Sequence, residues 1–361
     1  VIRGDKWDET VDDFEPTVTV VIPLYNEGAA IRETLESVLA SDYPNLRVTC
    51  IDDASTDDSY DLACAVARRD DRLTVLRNPD NIGKRLSINE AVRRTDSEII
   101  VSVDSDVIVD RDAIRQLIRR FASPKIAAVG GWVDVRNKHV NWLTRMQVVR
   151  YWYAYNVARG IEVGFRRVMC LSGCLTAYRR SVLLELAPVL TERSLLGVPI
   201  KYGEDRFLTR QIVKAGYHTV TTLAAHCRTF VPTTLAGFFS QQLRWRRSRI
   251  VDYSSGCGHV WRLNPLLAIH YFSLAVLMIV YPIGAYHLLA THGFLRAVSV
   301  HVALLVVYGA FYRWRVRRLP PQERVGAFAY APIALVLPIT FALMTPLALF
   351  TLDSSSWETR A

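Results

Sequence analysis

Between residues 18 and 135, short aliphatic and β-branched runs alternate with segments whose apolar positions recur at helical spacing. "VTVVIP" (18–23), "RVTCID" (47–52), "RLTVLR" (72–77) and "EIIVSVD" (98–104) predict strands, and 28–41, 57–69, 84–94 and 110–121 predict helices. This order argues for a mainly parallel sheet with helices on both faces. Ligands of such sheets collect at the carboxyl ends of the strands. Acids stand there: Asp52 and Asp53 close the second strand, and Asp104 and Asp106 follow the fourth.

Past residue 136 the pattern changes. "NWLTRMQVVRYWYAYNVARG" (141–160) predicts an aromatic helix, 204–215 a helix stopped by Gly216, and 233–253 an amphipathic helix introduced by Pro232. Residues 266–290 carry no formal charge and are long enough to span a bilayer, and 297–312 predict a return span. The basic run "RWRVRR" (313–318) then places its loop on the side of the first domain. The apolar stretch 327–351 is interrupted by Pro332, Pro338 and Pro346, which fits a re-entrant or interfacial segment or a broken transmembrane span. The expected organisation is a lead-in (1–16), an α/β domain (17–230), an amphipathic interface region (231–264), two spans (265–312), a basic loop (313–326), the broken apolar segment (327–351) and a terminal segment (352–361).

Composition sharpens this picture. The chain of 361 residues is 50% hydrophobic and carries a formal net charge of +9. Both excesses are local, the apolar one after residue 264 and arginine at 244–249 and 313–318. Arginines beside apolar spans favour an anionic lipid surface and argue against a nucleic-acid partner. The six cysteines form no CxxC pair, and nothing near Cys170 and Cys174 completes a metal set, so reduced, cytosol-facing thiols are expected. The first residue is Val, and the native start, with any signal or span, is expected to lie upstream.

Five short stretches carry candidate chemistry. "VDSDV" (103–107) offers two carboxylates after a strand, suited to a hard divalent cation that bridges phosphates, although DxD also occurs as an acidic turn. "PLYNE" (23–27) and "IDDAS" (51–55) place Tyr25 and Asp53 where a base can stack and hydrogen-bond; the bland alternative is a pair of helix caps, Asn26 in the first and Ser55 or Asp57 at the second. "NIGKRLSIN" (81–89) sets Lys84 and Arg85 at a helix start, where cations oppose the helix dipole, so an anion is expected nearby. "YGEDRFLT" (202–209) opens a helix with Glu204 and Asp205, acids that complement the dipole and of which one can serve as general base. In "QQLRWRRS" (241–248), Gln241, Arg244 and Trp245 share one helix face, an aromatic platform beside a phosphate-binding fork. Arg246, Arg247 and Arg249 fit an interfacial anchor.

Taken in order, "VIPLYNE", "DDAS", "GKR", "DSD", "SGCLTAYRR", "GED" and "QQLRW" resemble the processive membrane glycosyltransferases of family 2 across residues 17–253, most of all hyaluronan synthases and nodulation chito-oligosaccharide synthases. The resemblance implies a GT-A-like, Rossmann-related cytosolic domain followed by amphipathic interface helices and transmembrane helices, in a multi-pass protein of the plasma (inner) membrane. It implies that Tyr25, Glu27 and Asp53 surround the uracil of a UDP-sugar and that Lys84 and Arg85 meet the diphosphate. Asp104 and Asp106 would hold the ribose and a Mn²⁺ or Mg²⁺ ion, with Asp106 the metal ligand. Asp205 matches the catalytic base, and Gln241, Arg244 and Trp245 match the QxxRW motif of acceptor and diphosphate binding. Ser172, Gly173 and Cys174 would form the acceptor floor, where Cys174 and Leu175 stand against the usual "SGPL". "SWETR" (356–360) resembles a gating loop, with Trp357, Thr359 and Arg360 closing over the nucleotide.

The expected reaction is inverting. Asp205 deprotonates a chain-end hydroxyl, which attacks the anomeric carbon of a UDP-α-sugar in line as UDP leaves, and the growing β-linked polysaccharide crosses the membrane along a path lined by the spans and interfacial helices. Hyaluronan, from UDP-GlcNAc and UDP-GlcA, is the first expected product and a chitin-like oligomer the second. A non-processive transferase acting on a lipid phosphate, and a channel or scaffold subunit with an inactive nucleotide site, are the other readings.

Overall fold

The computed structural model describes residues 10–191, 193–195, 197–200, 202–320, 323–326 and 328–353. Along the chain these form β1 (Val18–Leu24), α1 (Gly28–Leu39), β2 (Leu46–Asp52), α2 (Ser59–Ala67), β3 (Leu73–Arg77), α3 (Lys84–Arg93), β4 (Ile99–Val103), β5 (Val107–Val109), α4 (Ala113–Ile118) and β6 (Ile126–Val135). There follow α5 (Trp142–Tyr153), a π-helical turn (Ala154–Ala158), α6 (Arg159–Val163), β7 (Leu175–Arg179), α7 (Arg180–Thr191), the two-residue strands β8 (Ser194–Leu195) and β9 (Val198–Pro199), α8 (Glu204–Lys214) and β10 (His218–Thr229). Four helices follow among the described residues: α9 (Leu235–Leu263), α10 (Pro265–Val316), α11 (Ile333–Ala342) and α12 (Met344–Leu349). Two compact units result: the described residues up to Asp134 with Tyr155–Phe230, and Val135–Ala154 with the described residues from Val231 on.

In the first unit, eight strands form one sheet in the order β3-β2-β1-β4-β7-β6-β10-β5. The β1–β4 half is parallel, as the strand–helix alternation demands. The other half departs from the mainly parallel expectation: β7 pairs antiparallel with β4 and with β6, and β10 pairs antiparallel with β5. β1 is buried at every residue, so it reads as a continuous apolar run rather than an alternating one. Val21, Ile51, Ile100, Ala128, Val182 and Phe207 belong to a core that joins this sheet to the helices above it. Burial of each of the larger of these side chains contributes about 1.5–3 kcal/mol, which fixes the strand ends where the acids emerge.

In the second unit, α9 begins at the Thr234 cap, whose hydroxyl accepts from Gly237 N–H, and runs to Leu263, beyond the expected stop at 253. α10 carries a break at Gly293, where φ is +78° and ψ is 168°. Tyr281 Oη and His301 Nδ1 lie 3.5 Å apart across that break. Twenty residues of continuous helix would separate them by about 30 Å. The chain therefore doubles back at Gly293 as a helical hairpin, close to the expected turn between 290 and 297. By length and composition, Ala275–Val316 is apolar enough to cross a membrane. Ile279, Ile283, Leu295 and Val307 of α10 are all more than half exposed. The prolines of 327–351 divide that stretch into α11 and α12, with Pro338 inside α11.

Candidate active site

The loops after β1 and β2 are stitched together. Asn26 adopts φ +50°, and its Oδ1 accepts from Thr56 N–H at 2.8 Å. Ser55 Oγ accepts from Asn26 N–H at 3.0 Å, and Ser59 Oγ from Glu27 N–H at 2.8 Å. None of Asn26, Ser55 and Asp57 occupies a helix N-cap: Glu27 does so for α1 and Asp58 for α2, each without a side-chain capping bond. The polar residues of both loops instead fix one loop against the other, and Tyr25 and Glu27 ride on that frame.

Asp53 is fully buried. It accepts from Asn78 Nδ2 (2.8 Å), Ile82 N–H (3.0 Å), Gly83 N–H (2.7 Å) and Ser87 Oγ (3.0 Å). Its carboxylate thus shapes the 78–87 loop that delivers Lys84. Asp52, also buried, pairs with Arg77 Nε at 3.2 Å. Arg77, Asn78 and Ser87 are not among the sequence candidates: the first two offer only polarity at the end of β3, and Ser87 only a small polar side chain inside α3.

Lys84 is the centre of the site. Gly83 at φ +88° and Gly203 at φ +68° turn the chain into α3 and α8, conformations an L side chain rarely adopts. These turns bring Lys84 Nζ to 2.6 Å from Asp104 Oδ1 and 2.8 Å from Glu204 Oε1. The anion demanded by a cation at a helix start is this pair of carboxylates. Burial opposes the lysine charge, and Asp104 and Glu204 more than offset it, so the ammonium titrates well above its ordinary range. A Cβ on Gly173 would stand 3.0 Å from Lys84 Nζ and 3.2 Å from Asp104 Oδ1, so the "SG" turn closes directly on this cluster. Arg85 turns away: its guanidinium donates to the carbonyls of Ile200 (3.3 Å) and Thr191 (3.5 Å).

Asp205 lies beside the cluster in the first turn of α8. Burial, and then the charge of Glu204, push its carboxyl above the usual range, while Lys84 and Arg206 pull it back. That direction suits a group that must accept a proton. The buried Thr209 hydroxyl donates to Asp205 carbonyl oxygen (2.7 Å) and accepts from Leu171 N–H (3.1 Å), tying α8 to the segment before Ser172. Asp106, nearly buried, accepts from Thr229 Oγ1 at 3.3 Å, and Thr34 Oγ1 holds the intervening Ser105 carbonyl at 2.8 Å. Burial, with Asp104 and Asp106, drives the Cys174 thiol upward, and Cys227 responds likewise, so neither is a thiolate. Among the described residues no group of three His, Cys, Asp or Glu could hold a metal. Two strand-end carboxylates fit a hard cation whose other positions are filled by substrate phosphates and water.

In the second unit, Gln241 is buried with Oε1 unpartnered, and the Trp245 ring lies 6.3 Å from that of Tyr151. Trp357, Thr359 and Arg360 lie outside the described residues.

Residues 16–248 match the profile described as glycosyltransferase like family 2. The chain belongs to that family. Among relatives of this family 2 chain, an N-acetylglucosaminyltransferase of Azorhizobium caulinodans is 37% identical over 240 residues, covering 66% of this chain and 60% of that protein. One of Rhizobium meliloti is 31% identical over 358 residues, covering 96% and 82%. The hyaluronan synthase of Streptococcus pyogenes is 32% identical over 237 residues, covering 64% and 56%. The chain thus matches less than two thirds of the length of several of these relatives. Among solved structures, the mannosyltransferase PcManGT from Pyrobaculum calidifontis, in complex with GDP-Man and Mn²⁺, superposes with a TM-score of 0.66 at 22% identity, covering 96% of this chain and 90% of that one. That likeness establishes the GT-A-like fold.

Proposed function

We propose that this family 2 chain is an inverting, processive β-glycan synthase that takes N-acetylglucosamine from a UDP-sugar. The observation that carries the reading is Lys84 held between Asp104 and Glu204, with the raised carboxyl of Asp205 alongside. A cation, a strand-end acid pair and a poised base are what glycosyl transfer from a nucleotide diphosphate requires. Asp205 takes the proton of the acceptor hydroxyl as that oxygen attacks the anomeric carbon. Lys84 turns from its carboxylates to the departing diphosphate, whose growing charge it stabilises. Asp106, with Asp104, would hold Mn²⁺ or Mg²⁺, which supplies further neutralisation of the diphosphate when bound. Tyr25, Glu27 and the loop shaped by Asp53 receive the nucleoside. Gln241, Arg244 and Trp245 take the acceptor and diphosphate roles of their motif.

The relatives named N-acetylglucosaminyltransferase move a chito-oligosaccharide product ahead of hyaluronan, which becomes the second reading through the streptococcal relative. The exposed apolar surface of the α10 hairpin supports insertion in the inner membrane as two spans, with the first unit in the cytoplasm. The test is UDP release and product sizing with detergent-purified protein and Mn²⁺ or Mg²⁺, given UDP-GlcNAc, UDP-GlcA, both together, UDP-Glc or GDP-Man. Turnover on UDP-GlcNAc alone with a ladder of oligomers supports the reading. Turnover only with the GlcNAc and GlcA pair moves the assignment to hyaluronan, a single addition removes processivity, and turnover on GDP-Man alone overturns the donor class.

A further inference from the structure

A cavity of about 60 Å³ lies within the second unit, where α5, α9 and α11 meet. Arg150 of α5 and Gln242, Trp245, Arg246 and Arg249 of α9 line it, and Val336 and Phe341 of α11 form an apolar wall. Gln242, Arg246 and Arg249 stand at i, i+4 and i+7, so one helix face supplies them. This face adjoins the one that carries Gln241 and Arg244, and Trp245 stands where the two meet.

Two of its cations, Arg150 and Arg246, keep buried N–H groups without a hydrogen-bond partner among the described residues. Arg246 is only 7% exposed, and the orphaned atom is Nη1 in both. Arg150 Nη2 donates to the neutral Gln242 Oε1 at 2.6 Å, and the Arg246 guanidinium lies 4.5 Å from the centre of the Phe341 ring. Among the described residues no Asp or Glu lines the cavity. Burial, and then the charge of Arg249, pull both guanidinium pKa values down to about 10. Buried N–H groups are nearly always paired, and a buried charge without a partner costs several kcal/mol. Two forked guanidiniums facing one small cavity match the tetrahedral oxygens of a phosphate, which accept bidentate pairs from more than one arginine.

We infer that this cavity binds a phosphate ester, with Arg150 and Arg246 donating to its oxygens. The phosphate comes from a phospholipid headgroup or from a soluble phosphate, and two probes separate these sources. For the lipid, native mass spectrometry of the detergent-purified chain would follow retention of phosphatidylglycerol against diacylglycerol of the same acyl chains. For the soluble source, inorganic phosphate would be titrated against chloride at matched ionic strength and the melting temperature followed. The expected result is a phosphate-dependent signal in at least one arm that Arg150→Met with Arg246→Met weakens at least tenfold. The unliganded double variant should melt no lower than the wild type, because the substitution removes unpaired charge. Single Arg246→Gln gives the same readout should the double variant fail to fold. Retention of phosphatidylglycerol alone assigns the lipid, and a shift with inorganic phosphate alone assigns the soluble ion. No signal in either arm for the wild type, or signals equal in wild type and variants, overturns the inference.

Discussion

Lys84 and the Arg150–Arg246 pair are both cations withdrawn from water, and they differ in what faces them. Lys84 meets two carboxylates within 2.8 Å, and its charge is fixed before any substrate arrives. The arginines meet a neutral amide and an aromatic ring and keep buried N–H groups without partners. On the proposed function, the first is a preset device that exchanges one set of anions for another. The second is built to receive an anion outright. A buried cation therefore does not by itself reveal its role; the groups left unsatisfied around it do.

The largest effect expected on this comparison comes from the base. Asp205→Asn should lower UDP release with UDP-GlcNAc by about 10²–10⁴-fold. The Asp205 carboxyl titrates above its unfolded value, so the folded state binds more protons and loses stability as pH rises from the unfolded value through the raised one. At neutral pH the Asn variant should therefore melt no lower than the wild type, which thermal unfolding checks. A dead variant that also unfolds would mean a structural acid.

Next comes the cation itself. Lys84→Met leaves Asp104 and Glu204 without their shared partner and should cost about 1–3 kcal/mol, less than a fully buried pair because the cluster stays partly exposed. The paired Met substitutions at Arg150 and Arg246 should cost nothing. Equal losses on denaturant unfolding would erase the distinction between the two regions. A smaller change is expected from Gly173→Ala, whose Cβ presses on Lys84 Nζ and Asp104 Oδ1. Both atoms are side-chain ends that can give by a few tenths of an ångström, so kcat/KM should fall by no more than about fivefold, the equivalent of about 1 kcal/mol. The smallest effect is a shift of profile. Glu204→Gln removes a charge that raises Asp205, so the acid limb of the pH–rate curve should move to lower pH. An unmoved limb would assign that limb to another group.

The parallel half of the sheet was legible because β1–β4 are runs of β-branched residues punctuated by polar turns, each with its helix beside it. β7 was not, since its pairing of Arg179 with Ile99 joins residues far apart in sequence and no local pattern records it. The end of α9 was hidden by the glycines of "SSGCG", which disfavour helix by about 1 kcal/mol each. Packing overrides them: Val260 is fully buried and the Tyr253 ring meets that of Tyr271 at 4.9 Å. Lys84, Asp104 and Asp205 were readable as types of residue in types of place. That Glu204 reaches across to share Lys84, and that Asp53 spends its carboxylate on the chain's own loop, required the fold.

The sharing of Lys84 has a thermodynamic corollary. A ligand that draws Asp104 toward itself and a ligand that draws Lys84 toward itself dissolve the same ion pair. Whichever binds first removes a competitor of the other, so each strengthens the other's affinity, and by the same factor. A divalent cation and a diphosphate are such ligands. Their occupancies should rise together, and measuring either titration in the presence of the other would give one coupling constant from both directions.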